Sequence, residues 1–404
     1  MQMDLVIHIW LIIAIHNSSE FYVVNPEMRI FNLRNRSRLR LIVINKSGIF
    51  IKLVSSVVPA RNIYKPDQMF ETSTIKDIAK ALGLSTSTVS RALRDSYEIS
   101  SATKKLVMEY AKKVNYLPNP NALSLKERKS KSIGIIVSEV ANHYFSQAIN
   151  GIESIANSRG YTAIITQTHE SVEREKKNVQ HLAARSVDGL LISISAETKD
   201  TSQLQQLHDR GLPIVFFDRV PEQINTHKIT ANNRAGAYQA TSHLIQSGCR
   251  KIAHLSSSAH LSISIERLQG YTEALRDYGL QPRPAYIKNC PHGGMLYEEV
   301  ETALKELLNL KERPEAIFVA GDRLTMCCMH VLKSLKVSGE TGIKIAGFSN
   351  SDVLDLFNPS LTSVFQPAFE MGKLATEKLL ELIEAKYPVT EFERKVLDTR
   401  LFVR

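Results

Sequence analysis

The sequence predicts an α/β protein in three parts: an N-terminal three-helix helix-turn-helix headpiece, a hinge, and a two-lobed, doubly wound core. Three observations carry this. The stretch Thr74 to Leu93, TIKDIAKALGLSTSTVSRAL, reads as two short helices around a tight turn. A basic segment bounded by prolines comes after it. From Ile133 onward, apolar strand-like runs alternate with amphipathic helical segments at steady spacing.

In the opening stretch Ile75, Ile78, Ala79 and Leu82 fall at helical period and make one apolar face. Thr74 with Asp77 three residues on can satisfy the orphan amides at the helix start. Gly83 supplies the turn, and Leu84 points back to the core. Ser85 or Thr86 caps a second helix with Val89 and Leu93 inward. Thr86, Ser87, Ser90 and Arg91 face outward: short hydroxyls that permit close approach, and one long guanidinium. Those are the residue types a major-groove reading helix requires, although an ordinary αα-hairpin would satisfy the same spacing. Arg94 to Ile99 form a loop. Ser100 or Ser101 caps a third helix with Leu106, Tyr110 and Val114 on one face and Lys104, Lys105, Lys112 and Lys113 outside. Pro118 and Pro120 end the unit. The linker Asn119 to Ser132 is polar and basic and buries too little to fold unaided.

In the core, strand-like runs are IGIIV (133–137), YTAIIT (161–166), VDGLLISI (187–194), LPIVFF (212–217), KIAHL (251–255), AIFVA (316–320), KIAGF (344–348) and LTSVF (361–365). Several are apolar on both faces, as buried parallel strands are. Helical segments at Gln147–Arg159, Arg234–Ser247 and Ala368–Glu384 lie between them. The length implies two lobes, with the chain crossing near Asn225–Asn233 and again through Gln366–Pro367.

Residues 1–70 do not match the rest of the chain. Leu5 to Ile15 is apolar but too short to span a bilayer, and it lacks the flanks of a secretory signal. Arg29 to Val58 is Arg-rich and strand-like, with no hairpin pattern. Met69 stands five residues before the first helix, and the expectation is that the native chain starts there. The charge is uneven: residues 1–70 carry a net +5, residues 71–131 a net +6, and the remainder −1. A basic end on a neutral body points to a polyanion partner. Cys249, Cys290, Cys327 and Cys328 have no metal-ligand spacing and read as reduced thiols in the cytoplasm.

The motifs TIKDIAKALGLSTSTVSRAL, NYLPNPNALSLK and KSIGIIV, with GLPIVFFDR at 211, SGCRKIAHL at 247, ERLQGY at 266 and PSLTSVFQP at 359, together resemble the bacterial lactose-repressor/galactose-repressor family of transcription regulators. The resemblance runs from Thr72 to Arg404. It implies a headpiece over 71–118, a hinge over 119–131 and a periplasmic-binding-protein-like core over 132–404. A homodimer or tetramer would bind operator DNA, and the core would close on a small effector, a sugar or sugar derivative. No other cofactor, no metal and no membrane partner is implied.

Position by position, the resemblance puts Thr86, Ser87 and Arg91 at base edges and Ser90 and Tyr97 near phosphates. It extends the DNA contacts to Thr74, Ser85, Asn121, Ala122 and Lys126, and makes Leu125 the hinge leucine that wedges into the minor groove. Effector contacts fall at Tyr144, Phe145, Ser195, Asp218 and Arg219 in the first lobe, and at Arg267, Asp322 and Asn350 in the second. Aromatic faces beside Arg and Asp suit a polyhydroxylated ring. Each also has a plainer role: Tyr144 and Phe145 as core, Asp322 as a helix cap, Arg267 as an ion-pair partner. Two departures stand out: Ala231-Asn232 where the family often has Asp-Asn, and Gly347-Phe348-Ser349 where it often has Gly-Phe-Asp. A solute-binding protein would share the core but have no use for Arg91 or the basic linker. The sequence carries no phosphate loop, nucleophile elbow, dinucleotide fingerprint or metal-spaced His/Cys set, so it does not read as an enzyme.

Overall fold

The computed structural model describes residues 73–117, 129–337, 342–354 and 361–404, together with three short strands near the N-terminus. Those strands, β1 (Arg29–Asn32), β2 (Leu41–Asn45) and β3 (Gly48–Lys52), pair as an antiparallel meander. The meander corrects the expectation that this stretch has no hairpin logic. Asn45 pairs with Gly48, so two turn-forming residue types close the β2–β3 hairpin.

The headpiece is three helices, α1 (Ile75–Leu82), α2 (Thr86–Ala92) and α3 (Ser101–Lys113). Thr74 and Asp77 form the reciprocal cap: the Thr74 amide donates to Asp77 Oδ2 at 2.8 Å and the Asp77 amide to Thr74 Oγ1 at 3.3 Å. Gly83 takes the left-handed conformation (φ 66°), which lets Leu84 N donate to Ala79 O at 2.9 Å and turns the chain into α2. Ser85 caps α2, accepting from Thr88 N at 3.0 Å. The core is Ile78, Ala79, Val89, Ala92, Val107 and Ala111. On α3 this corrects one expectation. Val107 and Ala111 point inward with Tyr110 and Val114 beside them, while Leu106 is 48% exposed.

The core consists of two lobes with the same strand order. In the first, β4 (Ser132–Val137), β5 (Thr162–Gln167), β6 (Gly189–Ile192), β7 (Ile214–Phe217) and β8 (Lys228–Ala231) pair in parallel in the order β5-β4-β6-β7-β8. In the second, β9 (Ile252–Ser256), β10 (Ile287–Asn289), β11 (Ala316–Val319), β12 (Lys344–Phe348) and β13 (Thr362–Phe365) pair in the order β10-β9-β11-β12-β13. Each sheet gains a late edge strand: β14 (Arg394–Leu397), parallel to β8, and β15 (Arg400–Phe402), antiparallel to β13. The 2-1-3-4-5 order places a topological switch between the first and third strands of each lobe, and the crevice for a ligand lies beyond the strands' carboxyl ends there.

Helices α4 (His143–Ser158), α5 (Val172–Ala184) and α6 (Ser202–Asp209) belong to the first lobe; α7 (Asn233–Gln246), α8 (Ser262–Asp277), α9 (Tyr297–Leu308) and α10 (Asp322–Ser334) belong to the second. α11 (Ala368–Glu384) follows β13 but packs back on the first-lobe sheet beside α4. The two helices approach at paired glycines. A Cβ on Gly151 would collide with Phe369 O, and one on Gly372 with Ala148 O. The chain therefore crosses between lobes at Asn232, at Gln366–Pro367 and, in a third passage, at Asp398–Thr399 between β14 and β15. Among the described residues no helix is long and apolar enough to cross a membrane.

Candidate functional site

Two surfaces stand out, one in each folded unit. On α2 the residues pointing away from the headpiece core are Thr86, Ser87 and Arg91, all exposed, with Ser90 half-buried. Arg91 reaches Glu98 at 2.8 Å with both side chains about half exposed, a surface pair that costs little to exchange for another partner. Arg94 folds back on α2, donating to Ser90 O and Ser90 Oγ at 3.0 Å each, so Ser90 is fixed by its neighbour. Tyr97 is 93% exposed. Thr74 and Ser85 are the cap residues of α1 and α2, each at a helix N-terminus where backbone amides attract anions. Asn121, Ala122, Leu125 and Lys126 lie outside the described residues.

In the core, the loops beyond the carboxyl ends of the strands face one another across a cleft. From the first lobe come Ser138 and Glu139 after β4, Tyr144 and Phe145 at the start of α4, Glu170 after β5, and Asp218 and Arg219 after β7. From the second come Ser257 after β9, Ile263 and Arg267 on α8, Gly321, Asp322 and Arg323 after β11, and Gln366 at the crossover. The lobes are drawn together, and the enclosed cavity is only about 50 Å³. Arg323 pairs with Glu139 across the cleft, and Gln147 on α4 accepts from Asn350 Nδ2 at 2.7 Å.

The first-lobe wall is a buried charge cluster. Glu170 accepts from Arg219 Nη1 at 2.6 Å, from Ser138 Oγ at 2.6 Å and from the Ala196 amide at 2.7 Å. Burial alone would raise its carboxyl, but Arg219 and these donors hold it below the usual range. Asp218 sits beside this pair in left-handed backbone (φ 60°), its side chain shut in. Burial raises its pKa against the pull of Arg219 and Arg267. Burial likewise raises the Tyr144 hydroxyl, and the charge of Asp218 and the hydrogen bond shared with it add to the shift. Arg219 Nε, buried and without a protein acceptor, is 3.9 Å from Asp218 Oδ2. A donor and a carboxylate held just too far apart to bond directly make a seat for a group that both accepts and donates.

Arg267 forms the opposite wall and is also a structural tie. It donates to Asn233 Oδ1 at 2.9 Å, to Ala320 O at 3.1 Å and to Gln366 Oε1 at 2.5 Å, and lies 3.8 Å over the Phe348 ring. It thus joins two crossover points to the end of β11. Burial pushes its guanidinium down to about 10, and the Asp218 charge works against that. Asp322 accepts from Ser349 Oγ at 2.7 Å and from the Asn350 amide at 2.9 Å. The hydroxyl at 349 is therefore the complement of Asp322; a second carboxylate there would face it with like charge. Asn232, following Ala231, caps α7 by accepting from the Ala235 amide at 3.2 Å.

The structure thus brings Tyr144, Phe145, Asp218, Arg219, Arg267 and Asp322 to one cleft. Two expected contacts sit elsewhere. Ser195 lies beneath the wall, its amide donating to Glu175 Oε2 at 2.6 Å and its hydroxyl to Glu170 O at 3.0 Å. Asn350 bridges the lobes at the crossover, its Oδ1 accepting from the Gln366 amide at 3.0 Å. Glu170, Ser138 and the Glu139–Arg323 pair also line the cleft, and Gln366 does so besides marking the crossover. Nothing in the local pattern singles out Glu170, whose partner is 49 residues away.

Two family profiles match the chain. The one described as bacterial regulatory proteins, lacI family, matches residues 74–119, and the one described as periplasmic binding proteins and sugar binding domain of LacI family matches residues 130–400. The chain is 33% identical over 326 residues to the HTH-type transcriptional repressor PurR of Photobacterium profundum, covering 81% of this chain and 95% of that one. The repressor of the same name from Vibrio atlanticus is 32% identical over the same shares. Among solved structures, the transcriptional regulator CelR–cellobiose complex is similar at a TM-score of 0.60 and 29% identity, over 82% of this chain and 99% of that one. The lac repressor dimer bound to operator and the anti-inducer ONPF shares the fold at a TM-score of 0.69 and 24% identity, over 83% and 98%.

Proposed function

The chain belongs to the lacI family of bacterial regulatory proteins, and we propose that it represses transcription in the cytoplasm as a homodimer whose grip on a near-palindromic operator is modulated by a sugar or sugar derivative. It is a DNA-binding transcriptional regulator whose operator affinity is set by a small effector. The headpiece over 71–118 reads the operator, with Thr86, Ser87 and Arg91 at base edges and Thr74, Ser85, Ser90 and Tyr97 at the backbone. The hinge over 119–131 adds Asn121, Ala122 and Lys126, with Leu125 as a minor-groove wedge. Tyr144, Phe145, Asp218, Arg219, Arg267 and Asp322 take the effector.

The observation that carries the effector class is the gap between Arg219 Nε and Asp218 Oδ2, 3.9 Å apart inside the cleft. A ligand hydroxyl set there accepts from the guanidinium and donates to the carboxylate, and it converts an orphaned buried donor into a satisfied one. The Tyr144 and Phe145 rings, edge to face at 5.2 Å, offer the apolar surface a sugar C–H face needs. The cellobiose complex of a regulator with the same architecture supports the same class.

The experiment is a gel shift with a pool of genomic fragments, with and without a panel of mono- and disaccharides, followed by Arg91→Ala on the selected site. Arg91→Ala should relax sequence preference at one symmetric position per half-site, at a cost of about 1–3 kcal/mol there. Equal weakening on all sequences would make Arg91 a phosphate contact and refute its reading role.

A further inference from the structure

Helix α8 has two working sides. Ile263 and Arg267 face the cleft. Half a turn round, Ile265, Leu268, Thr272 and Arg276 face a separate groove of about 350 Å³ that opens where the edge strand β10 passes the helix. The groove's floor is His254 and Ser256 of β9 with Ser264 of α8, none of them more than 4% exposed. Neither ring nitrogen of His254 meets a protein partner, and neither do the hydroxyls of Ser256 and Ser264. Four of the buried side-chain atoms without a protein partner thus belong to residues that line this groove. Tyr271 and Phe318 pack about the same imidazole at centroid distances of 5.1 and 5.4 Å, so the apolar core lies behind it.

The chemistry of the lining restricts the occupant. Burial, with Arg267 nearby, pushes the His254 imidazole down to about 3, so at neutral pH the ring is uncharged and offers one donor and one acceptor. A cation or anion at the floor would find no countercharge. At the rim, Glu273 is paired with Arg234 at 2.6 Å, and Arg276 adds one further positive charge. Leu268 and Ile287 supply aliphatic walls. Among the lining residues no aromatic ring other than His254 is present to stack a planar heterocycle. We propose that this groove is a second ligand site, distinct from the interlobe cleft, for a neutral polyhydroxylated molecule of monosaccharide size. Its hydroxyls meet His254, Ser256 and Ser264, and its C–H face lies on Leu268 and Ile287. One helix thus presents Arg267 to the cleft and Leu268 to this groove.

The site is tested on the full chain by following the His254 imidazole nitrogens in long-range ¹H–¹⁵N spectra, assigned with His254→Leu. D-glucose, D-ribose and D-galactose are the probes, and uridine is the heterocyclic control. At least one sugar should move the His254 nitrogens as they acquire partners. Thr272→Trp, which fills the groove from an accessible helix position, should weaken that response by roughly tenfold or more, and Asp218→Asn in the cleft should leave it unchanged. The wild-type titration is decisive by itself: no movement with any of the three sugars, or movement with uridine alone, overturns the proposal. Loss of the response in Asp218→Asn but not in Thr272→Trp would trace it to the cleft and overturn it equally, without bearing on the operator switch.

Discussion

Replacing Arg267 by Met tests whether one residue both holds the crossovers and senses the effector. The guanidinium makes three hydrogen bonds, to Asn233, Ala320 and Gln366, and stacks on Phe348. Methionine keeps much of the volume but abandons three acceptors that sit in a buried site. Each orphaned acceptor costs about 1–3 kcal/mol. Relief from burying a cation offsets part of the sum over three acceptors, leaving a net loss of about 2–5 kcal/mol. Urea unfolding followed by far-ultraviolet circular dichroism should show a loss in that range, with Arg267→Lys intermediate because an ammonium replaces the fork by a point donor. Operator titrations by fluorescence anisotropy, at a temperature where the variant is folded, should show that the effector no longer shifts affinity. Effector-free binding should stay close to wild type, since every partner of Arg267 lies in the core. A stability loss below about 1 kcal/mol would refute the view that these bonds tie the crossovers together. An intact effector response would remove Arg267 from the sensing role.

Two further outcomes rest on the packing. Gly372→Ala drives a Cβ into the Ala148 carbonyl, and backbone on backbone cannot be relieved by a side-chain rotation; the thermal midpoint should fall by the equivalent of about 1–3 kcal/mol, and an unchanged midpoint would mean that α4 and α11 are not in close contact. His254 predicts an acid limb. Its folded pKa is depressed from 6.5 to about 3, so between those values the unfolded chain holds a proton that the folded chain lacks, and stability falls as pH drops below 6.5. The slope attributable to it is about 1.4 kcal/mol per pH unit, read as the difference between wild type and His254→Leu in urea titrations from pH 6.5 down to about 4; parallel curves would contradict the burial of a neutral ring.

Much of the fold was legible because its signals are local. The capped helices of the headpiece, the both-faces-apolar strands and the long helix α11 each announce themselves within a short stretch of chain. What escaped is what tertiary context decides. β8, β10, β14 and β15 are only three or four residues long, and β14, RKVL, is a half-polar edge strand with Val396 53% exposed. Without β14 and β15 the third crossover could not be seen. On α3 both the 106/110/114 and the 107/111 sets have helical spacing. Val107 and Ala111 take the inward face, where the smaller side chains allow α2 to approach. In the cleft, the family resemblance, not a local pattern, pointed to Asp218 after β7 and Arg267 on α8, and both line the cavity. Ser195 and Asn350 also stand at strand ends, yet their hydrogen bonds go to Glu175, Glu170 and the Gln366 backbone, partners that only the folded chain brings near.

The root of the hinge constrains how the cleft can speak to the headpiece. Asp188, just before β6, accepts from the Ser130 amide at 2.7 Å, the Ser130 hydroxyl at 3.1 Å and the Lys131 amide at 2.9 Å. Lys129 Nζ donates to Ile383 O at the end of α11, and Lys131 Nζ stands 4.3 Å over the Tyr161 ring. The last residues of the hinge are therefore bolted to the first lobe by charge-assisted bonds. These bonds tie the root to the first-lobe sheet, so a rearrangement of the lobes would carry it along with that lobe. In the proposed homodimer, the separation of two such roots is what a rearrangement of the lobes would change. The effector can bias that separation only by its differential affinity for the two lobe arrangements, typically worth about 1–3 kcal/mol of coupling. The pairing of Arg323 with Glu139 across the cleft is the competing state that an effector's own contacts would have to outweigh.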